Sequence, residues 1–153
     1  MLFLLLRLEH ARYVLPAEQV LEILPLVRIT PMPKSPPAVA GVIDFRGEPV
    51  QVVDLSLVLL GRPAKARMST RVIIASCRTR GDQSKPIGLL AEQATDTLRR
   101  DPADFTDSGL AAADTGHHGP VAIDEQGIIE WLKPERLLPG ALHDALLGAA
   151  SQT

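Results

Sequence analysis

The side chains able to do chemistry are few and scattered. In "VAGVIDFRGEPVQVVDL", residues 39 to 55, Asp44, Arg46 and Glu48 interrupt a run of valine, isoleucine, leucine and phenylalanine. Among the carboxylates, Asp44, Asp54, Glu22 and Asp124 could pair as general acid and base, but no spacing selects a pair. His117 and His118, flanked by glycines, could offer imidazole to a metal; adjacent histidines need further ligands, and no other His or Cys stands at ligand spacing. A solvated loop is the expected setting of that pair, and His10 and His143 are expected to be exposed. Cys77 shares strand parity with Ile73 and Ala75, which predicts a small buried hydrophobe and not a nucleophile. The chain has no glycine-rich phosphate loop, no Gly-x-Ser-x-Gly elbow and no His-Glu-x-x-His helix. No catalytic residue, metal or cofactor is therefore assigned. A small barrel enzyme or ligand-binding protein built on the scattered carboxylates and His117/His118 is kept as the alternative.

Composition narrows the classes further. Sixteen basic against eighteen acidic residues give a net charge of -2, and aromatics make up only 3%. Both the phosphate-neutralising charge and the stacking platform of a nucleic-acid binder are thin. One cysteine in 153 residues permits no internal disulfide, which fits the cytoplasm. "MLFLLL" is too short for a signal-peptide core or a membrane span and reads as a buried strand. Thirteen prolines and eleven glycines predict many short elements joined by turns, hence mostly β structure.

Those elements position the charges. Leu2 to Leu8 and Ala11 to Leu15 form a hairpin. "TPMPKSPP" must run extended and unpaired across the surface, because proline fixes φ and offers no amide donor. In the charged stretch a period of two sends Ile43, Phe45, Val50 and Val52 inward and leaves Val42, Asp44 and Arg46 outside. Because Pro49 cannot donate, a four-residue loop from Arg46 to Pro49 is expected, with Phe45 opposite Val50 and Ile43 opposite Val52. "SLVLLG" reads as a short helix with Ser56 as cap and Gly61 as stop. "RVIIASC" is a strand, "PIGLLAEQATDTL" a strand with its continuation, and "VAIDEQGIIEWL" two strands around Gln126 and Gly127. From Pro134 the tail is helical, with Leu142, Ala145, Leu146 and Ala149 at helical spacing. Residues 101 to 119 carry no usable period.

An internal repeat orders these pieces. "AEQVLEIL" at 17 to 24 returns as "AEQATDTL" at 91 to 98, "IDFRG" at 43 to 47 as "IDEQG" at 123 to 127, and "SLVLL" as "PERLL". Two similar β units of that size close into barrels to remove sheet edges. The plain reading of Asp44 and Arg46 is a solvated face with a weak cross-strand ion pair. The second copy carries Glu125 and Gln126 in its turn, so the fold itself does not require an arginine at position 46.

At this point the chain resembles the CheW-like family of chemotaxis coupling proteins. The likeness rests on "FLLLRLEHARYVLPAEQVLEI", "ITPMPKSPPAVAGVIDFRGEPVQVVDL", "PIGLLAEQATDTL" and "GPVAIDEQGIIEWLKPERLL", most of residues 2 to 138. It implies two intertwined five-stranded SH3-like barrels over residues 1 to 140, a helical tail at 141 to 153, and no catalysis. It implies a cytoplasmic adaptor, recruited to membrane receptor arrays without inserting in the membrane. Such an adaptor bridges a chemoreceptor signalling tip to the regulatory domain of a histidine kinase. Motif by motif, the receptor-facing residues would be Val20 and Glu22 from "VLEI" with Gly41, Val42, Asp44 and Arg46 from "GVIDFRG". Asp44 and Phe45 stand where the family usually has Asn-Leu, and "TDSGLAAADTGHH" replaces a basic, proline-containing segment. No ATP-binding or receiver segment accompanies the domain, so the stand-alone adaptor is the expected form.

Overall fold

The computed structural model describes residues 1–79, 81–94, 96–109 and 118–137. Its strands are β1 (Leu2–Leu8), β2 (Ala11–Pro16), β3 (Val20–Pro25), β4 (Val39–Phe45), β5 (Glu48–Asp54), β6 (Arg71–Arg78), β7 (Ser84–Ala91), β8 (Asp96–Arg99), β9 (Val121–Asp124) and β10 (Gly127–Trp131). Short helices α1 (Leu55–Leu60) and α2 (Pro134–Leu137) follow β5 and β10. The tail from 138 onward, with its expected helix, lies outside the described residues, as do the domain boundary drawn at 140 and His117.

The strands make two five-stranded sheets, ordered β8-β1-β2-β10-β9 and β3-β6-β7-β5-β4. If β6 to β10 are taken as the second copy of β1 to β5, both orders read third, first, second, fifth, fourth. Each sheet takes its first two strands from one copy and the other three from the other. The halves are therefore intertwined, which the repeat alone did not disclose. The exchange happens after "AEQ": β7 ends at Ala91 in the second sheet and β8 begins at Asp96 in the first, so "PIGLLAEQATDTL" is two strands in two sheets.

Each sheet curls until its edges nearly meet. Glu22 on edge strand β3 reaches Arg46 just beyond edge strand β4, Oε1 to Nη2 at 3.1 Å. In the first sheet Arg100, one residue past β8, donates to the carbonyl oxygen of Ile123 on β9 at 3.4 Å. Matching bridges, Thr30 with Val42 and Thr106 with Val121, cover the free edges of β4 and β9. The proline-rich link is thus exposed and outside regular strands, but it is not extended throughout, since Lys34 turns at φ 65° and the Ser35 amide donates back to the Met32 carbonyl, and Thr30 at its start is paired.

The core has three compartments, which accounts for the continuous apolar runs of β1 and β6. Leu4, Leu6 and Leu8 face Ile73, Ala75 and Cys77 between the barrels, while alternate residues fill each barrel. Phe3, Leu5, Val14 and Ile129 occupy the first, where Phe3, Phe105 and Trp131 stack with ring centroids 5.0 to 5.4 Å apart. Ile43, Val50, Val52, Val72 and Ile74 occupy the second. A strand buried on both faces cannot alternate polar and apolar. Full burial of side chains such as Phe3, Leu6 and Ile73 stabilises by about 1.5–3 kcal/mol each.

Four local expectations need correction. The charged hairpin has a two-residue turn, Arg46 at φ 55° and Gly47 at φ 86°, with Phe45 opposite Glu48 and Ile43 opposite Val50. Two consecutive left-handed residues match the twist of the strands. Asp44 then faces Pro49 at a position where no ladder bond is made, and β7 joins β5 only from Val52, so the missing proline amide costs nothing. The register slides by two, which preserves the inward set. The cap of α1 is Asp54, whose Oδ1 accepts from the Leu57 amide at 3.2 Å, and not Ser56, which is buried; Gly61 ends the helix at φ 77°. The β9–β10 turn is Glu125–Gln126, with Asp124 opposite Gly127. Consequently "IDFRG" and "IDEQG" are out of step by one residue, since Thr30–Val42 corresponds to Thr106–Val121: Asp44 corresponds in space to Ile123.

Candidate interaction surface

The six residues assigned to binding converge on one rim of the second barrel but differ in kind. Val20 is half-buried at the start of β3 and packs on the central core. Glu22 and Arg46 form the ion pair that spans the two edges, with side chains 37% and 71% exposed, and the Arg46 guanidinium also lies 4.9 Å from the Phe45 ring centroid. An exposed pair of this kind contributes about 0–1 kcal/mol, so it orients Arg46 more than it holds the barrel closed. Asp44 is not Arg46's partner: its Oδ1 accepts from the Gly47 amide at 2.7 Å and holds the turn. Val42 is half-buried against Thr30. Gly41 is buried at φ 151°, and a Cβ there would come within 2.3 Å of the Thr30 carbonyl oxygen. Its function at the rim is to let the link cross over β4. Between link and hairpin lies an open cleft of about 290 Å³, lined by Met32, Val42, Pro49 and the acids Asp44 and Glu48 among others.

The remaining carboxylates are engaged in holding the fold and are not gathered. Asp54 accepts from Leu57 and Ala64 amides. Asp124 receives both terminal nitrogens of Arg12, at 2.5 and 3.0 Å, which with the Gln126 amide holds its carboxyl below the usual range. His118 stands 3.2 Å from Glu130. Among the described residues no three His, Cys, Asp or Glu side chains could share a metal ion, and no helix is long and apolar enough to cross a membrane. Cys77 is buried as expected, and burial, reinforced by Glu135, pushes its thiol up to about 12.

Two features escaped the sequence reading. The first is a clasp: Arg62 binds Glu92 at 2.8 and 3.2 Å and Glu9 at 3.0 Å, while buried Ser56 donates to Glu92 at 2.7 Å. Arg62 and Ser56 together hold the Glu92 carboxyl down to about 2. The clasp ties the β1–β2 turn to the segments after α1 and β7, and no spacing reveals it because its members stand at 9, 56, 62 and 92. The second is an apolar patch. Ile123 and Ile128 are cross-strand partners on β9 and β10, 74% and 62% exposed. The alternation along β9 is visible in the sequence, but it does not say which set faces out: Ala122 is buried and Ile123 exposed.

Comparison with known proteins agrees with this arrangement. A family model described as "CheW-like domain" matches residues 2–141. Protein FrzA of Myxococcus xanthus is 35% identical over 72 residues, 47% of this chain and 45% of that protein, so the match spans less than half of the relative's length. The crystal structure of the scaffolding protein TtCheW from Thermoanaerobacter tengcongensis superposes with a TM-score of 0.74 over 87% of this chain and 84% of that one, at 22% identity, and shares the fold of two intertwined SH3-like barrels. The match over residues 2–141 shows that the chain belongs to the CheW-like family.

Proposed function

We propose that this chain is a stand-alone cytoplasmic adaptor that couples the signalling tip of a methyl-accepting chemoreceptor to the regulatory domain of a CheA-type histidine kinase within membrane receptor arrays. The observation that carries the reading is the second barrel's rim, where Glu22 orients an exposed Arg46 above half-buried Val20 and Val42. A cation held in place beside apolar contacts suits a helical bundle with an acid on its surface, since a guanidinium pairs with carboxylate in a fixed fork. An adaptor needs a second face, and the exposed Ile123–Ile128 pair on the other barrel supplies an apolar one for the kinase. Arg46→Glu should abolish binding to a purified receptor tip while leaving the melting temperature and kinase binding intact, because its ion pair with Glu22 is exposed. Undiminished receptor binding by that variant refutes the assignment of Arg46, and a parent chain that binds neither receptor tip nor kinase refutes the function.

A further inference from the structure

We infer that the loop between α1 and β6 is a preformed basic knob that makes a second, charge-selective contact to the same receptor tip, and thereby selects receptors with a second acid beyond the one facing Arg46. This rests on the receptor-facing reading of the Glu22–Arg46 rim. The loop "RPAKARMSTR", residues 62 to 71, holds Met68 96% exposed between Arg67 and Arg71, with Lys65 exposed beside them. Long apolar side chains held that far into water are usually on mobile segments, but this loop is pinned. The Ala64 amide donates to Asp54 Oδ2 at 2.9 Å, the Arg67 amide to Thr70 Oγ1 at 2.9 Å, Thr70 Oγ1 to the Lys65 carbonyl at 2.7 Å, and Ser69 Oγ to the Glu92 carbonyl at 2.8 Å. Arg71 Nη1 donates to the carbonyls of Met68 and Thr70. Lys65, Arg67 and Arg71 make no ion pair with a described residue, in a chain whose net charge is -2. An unneutralised, ordered cationic cluster around an adaptable methionine loses little entropy on docking.

Its position names the partner. Arg71 is the cross-strand neighbour of Pro25, and Glu22 lies three residues earlier on β3, about 10 Å away along the strand. Between them β3 exposes Ile23 (41%), with Leu21 (51%) just beyond Glu22, both alternating with Glu22 along the strand. Arg46, through Glu22, and the knob, through Arg71 beside Pro25, thus stand on one line along edge strand β3, with Ile23 exposed between them. A helix laid on that line covers about 10–15 Å in roughly seven to ten residues, so it would need acids about two to three turns apart. Three cations without a nearby aromatic are too few for lipid adsorption, which takes clusters of four or more, and offer no stacking platform for bases.

The test titrates the full chain against the purified helical-hairpin tip of a methyl-accepting chemoreceptor from the same organism, and separately against phosphatidylglycerol vesicles. Lys65→Glu with Arg67→Glu should lower tip affinity at least about tenfold and flatten its salt dependence, and Met68→Ala should weaken it by about threefold. All three side chains project into solvent, so unchanged melting confirms the fold. Parent-like tip binding by both variants, while Arg46→Glu loses binding, overturns the knob and leaves the adaptor function standing. Loss confined to the vesicles overturns it in favour of a lipid surface. If Arg46→Glu also binds normally, the receptor-facing reading falls first.

Discussion

Replacing Gly41 with alanine separates a direct contact of the proposed receptor from a residue that builds the surface proposed to receive it. A Cβ at position 41 would lie 2.3 Å from the Thr30 carbonyl oxygen, 2.7 Å from its carbon and 2.9 Å from Ile29 Cγ2, with φ at 151°. Backbone cannot step aside as a flexible side chain can. Relief requires opening the Thr30–Val42 bridge, whose two hydrogen bonds are both 2.9 Å. Losing them costs about 1 kcal/mol each, and the residual backbone strain adds roughly 1–2 kcal/mol. The expected destabilisation is therefore roughly 3–4 kcal/mol, which in a chain of this size lowers Tm by about 6–16 °C. Gly47→Ala is the control: it also has positive φ, 86°, but meets nothing within 4 Å, so only about 1 kcal/mol is at stake. Urea denaturation of both variants, alongside titration with the receptor tip, reads the difference. Equal losses for the two variants refute the crossing argument. Gly41→Ala that keeps parental stability yet loses the receptor makes Gly41 a direct contact.

Two further outcomes follow from the buried groups. Glu92 titrates near 2 in the folded chain against an ordinary value of 4.5, so the unfolded chain takes up its proton first as pH falls. The stability it contributes is complete above about 4.5 and disappears on the way to about 2; Glu92→Gln should flatten the stability profile inside that window, and an unchanged slope counts against the clasp. Cys77, pushed up to about 12, should resist a thiol reagent at neutral pH until the chain unfolds, and rapid labelling of the native protein contradicts its burial.

What could be read from the residues was whatever depends on neighbours. The β1–β2 hairpin followed from two apolar runs around Glu9 and His10, although the turn lacks glycine and Glu9 itself takes the left-handed place at φ 56°. Parity put Ile43, Val50 and Val52 inside whichever register was assumed. The site residues on β3 and β4 could be brought together only through motif resemblance, because strand period says nothing about two edges of one sheet meeting at Glu22 and Arg46. Hairpin register failed because Pro49 was treated as needing a ladder partner, when its amide faces a gap before β7 begins to pair. Asp54 and Ser56 are equally good caps by type, so type alone does not choose between them; Ser56 is drawn inward by Glu92, 36 residues away, and Asp54 takes the cap.

The strand exchange has a consequence for coupling. The proposed receptor-facing rim is on the second barrel and the exposed isoleucine pair on the first, yet each barrel contains strands of both halves. Leu4, Leu6 and Leu8 of the first sheet pack directly on Ile73, Ala75 and Cys77 of the second, and the chain crosses between sheets at Ala17–Gln19 and again at residues 91 to 94. A hinge between the barrels would have to open this dry layer and pull Arg62 from Glu9 and Glu92. Each fully buried side chain that such an opening exposed would cost about 1.5–3 kcal/mol. The two faces therefore move as one body. Under the proposed function, the position of the receptor tip would reach the kinase by rigid displacement, without an internal change of shape.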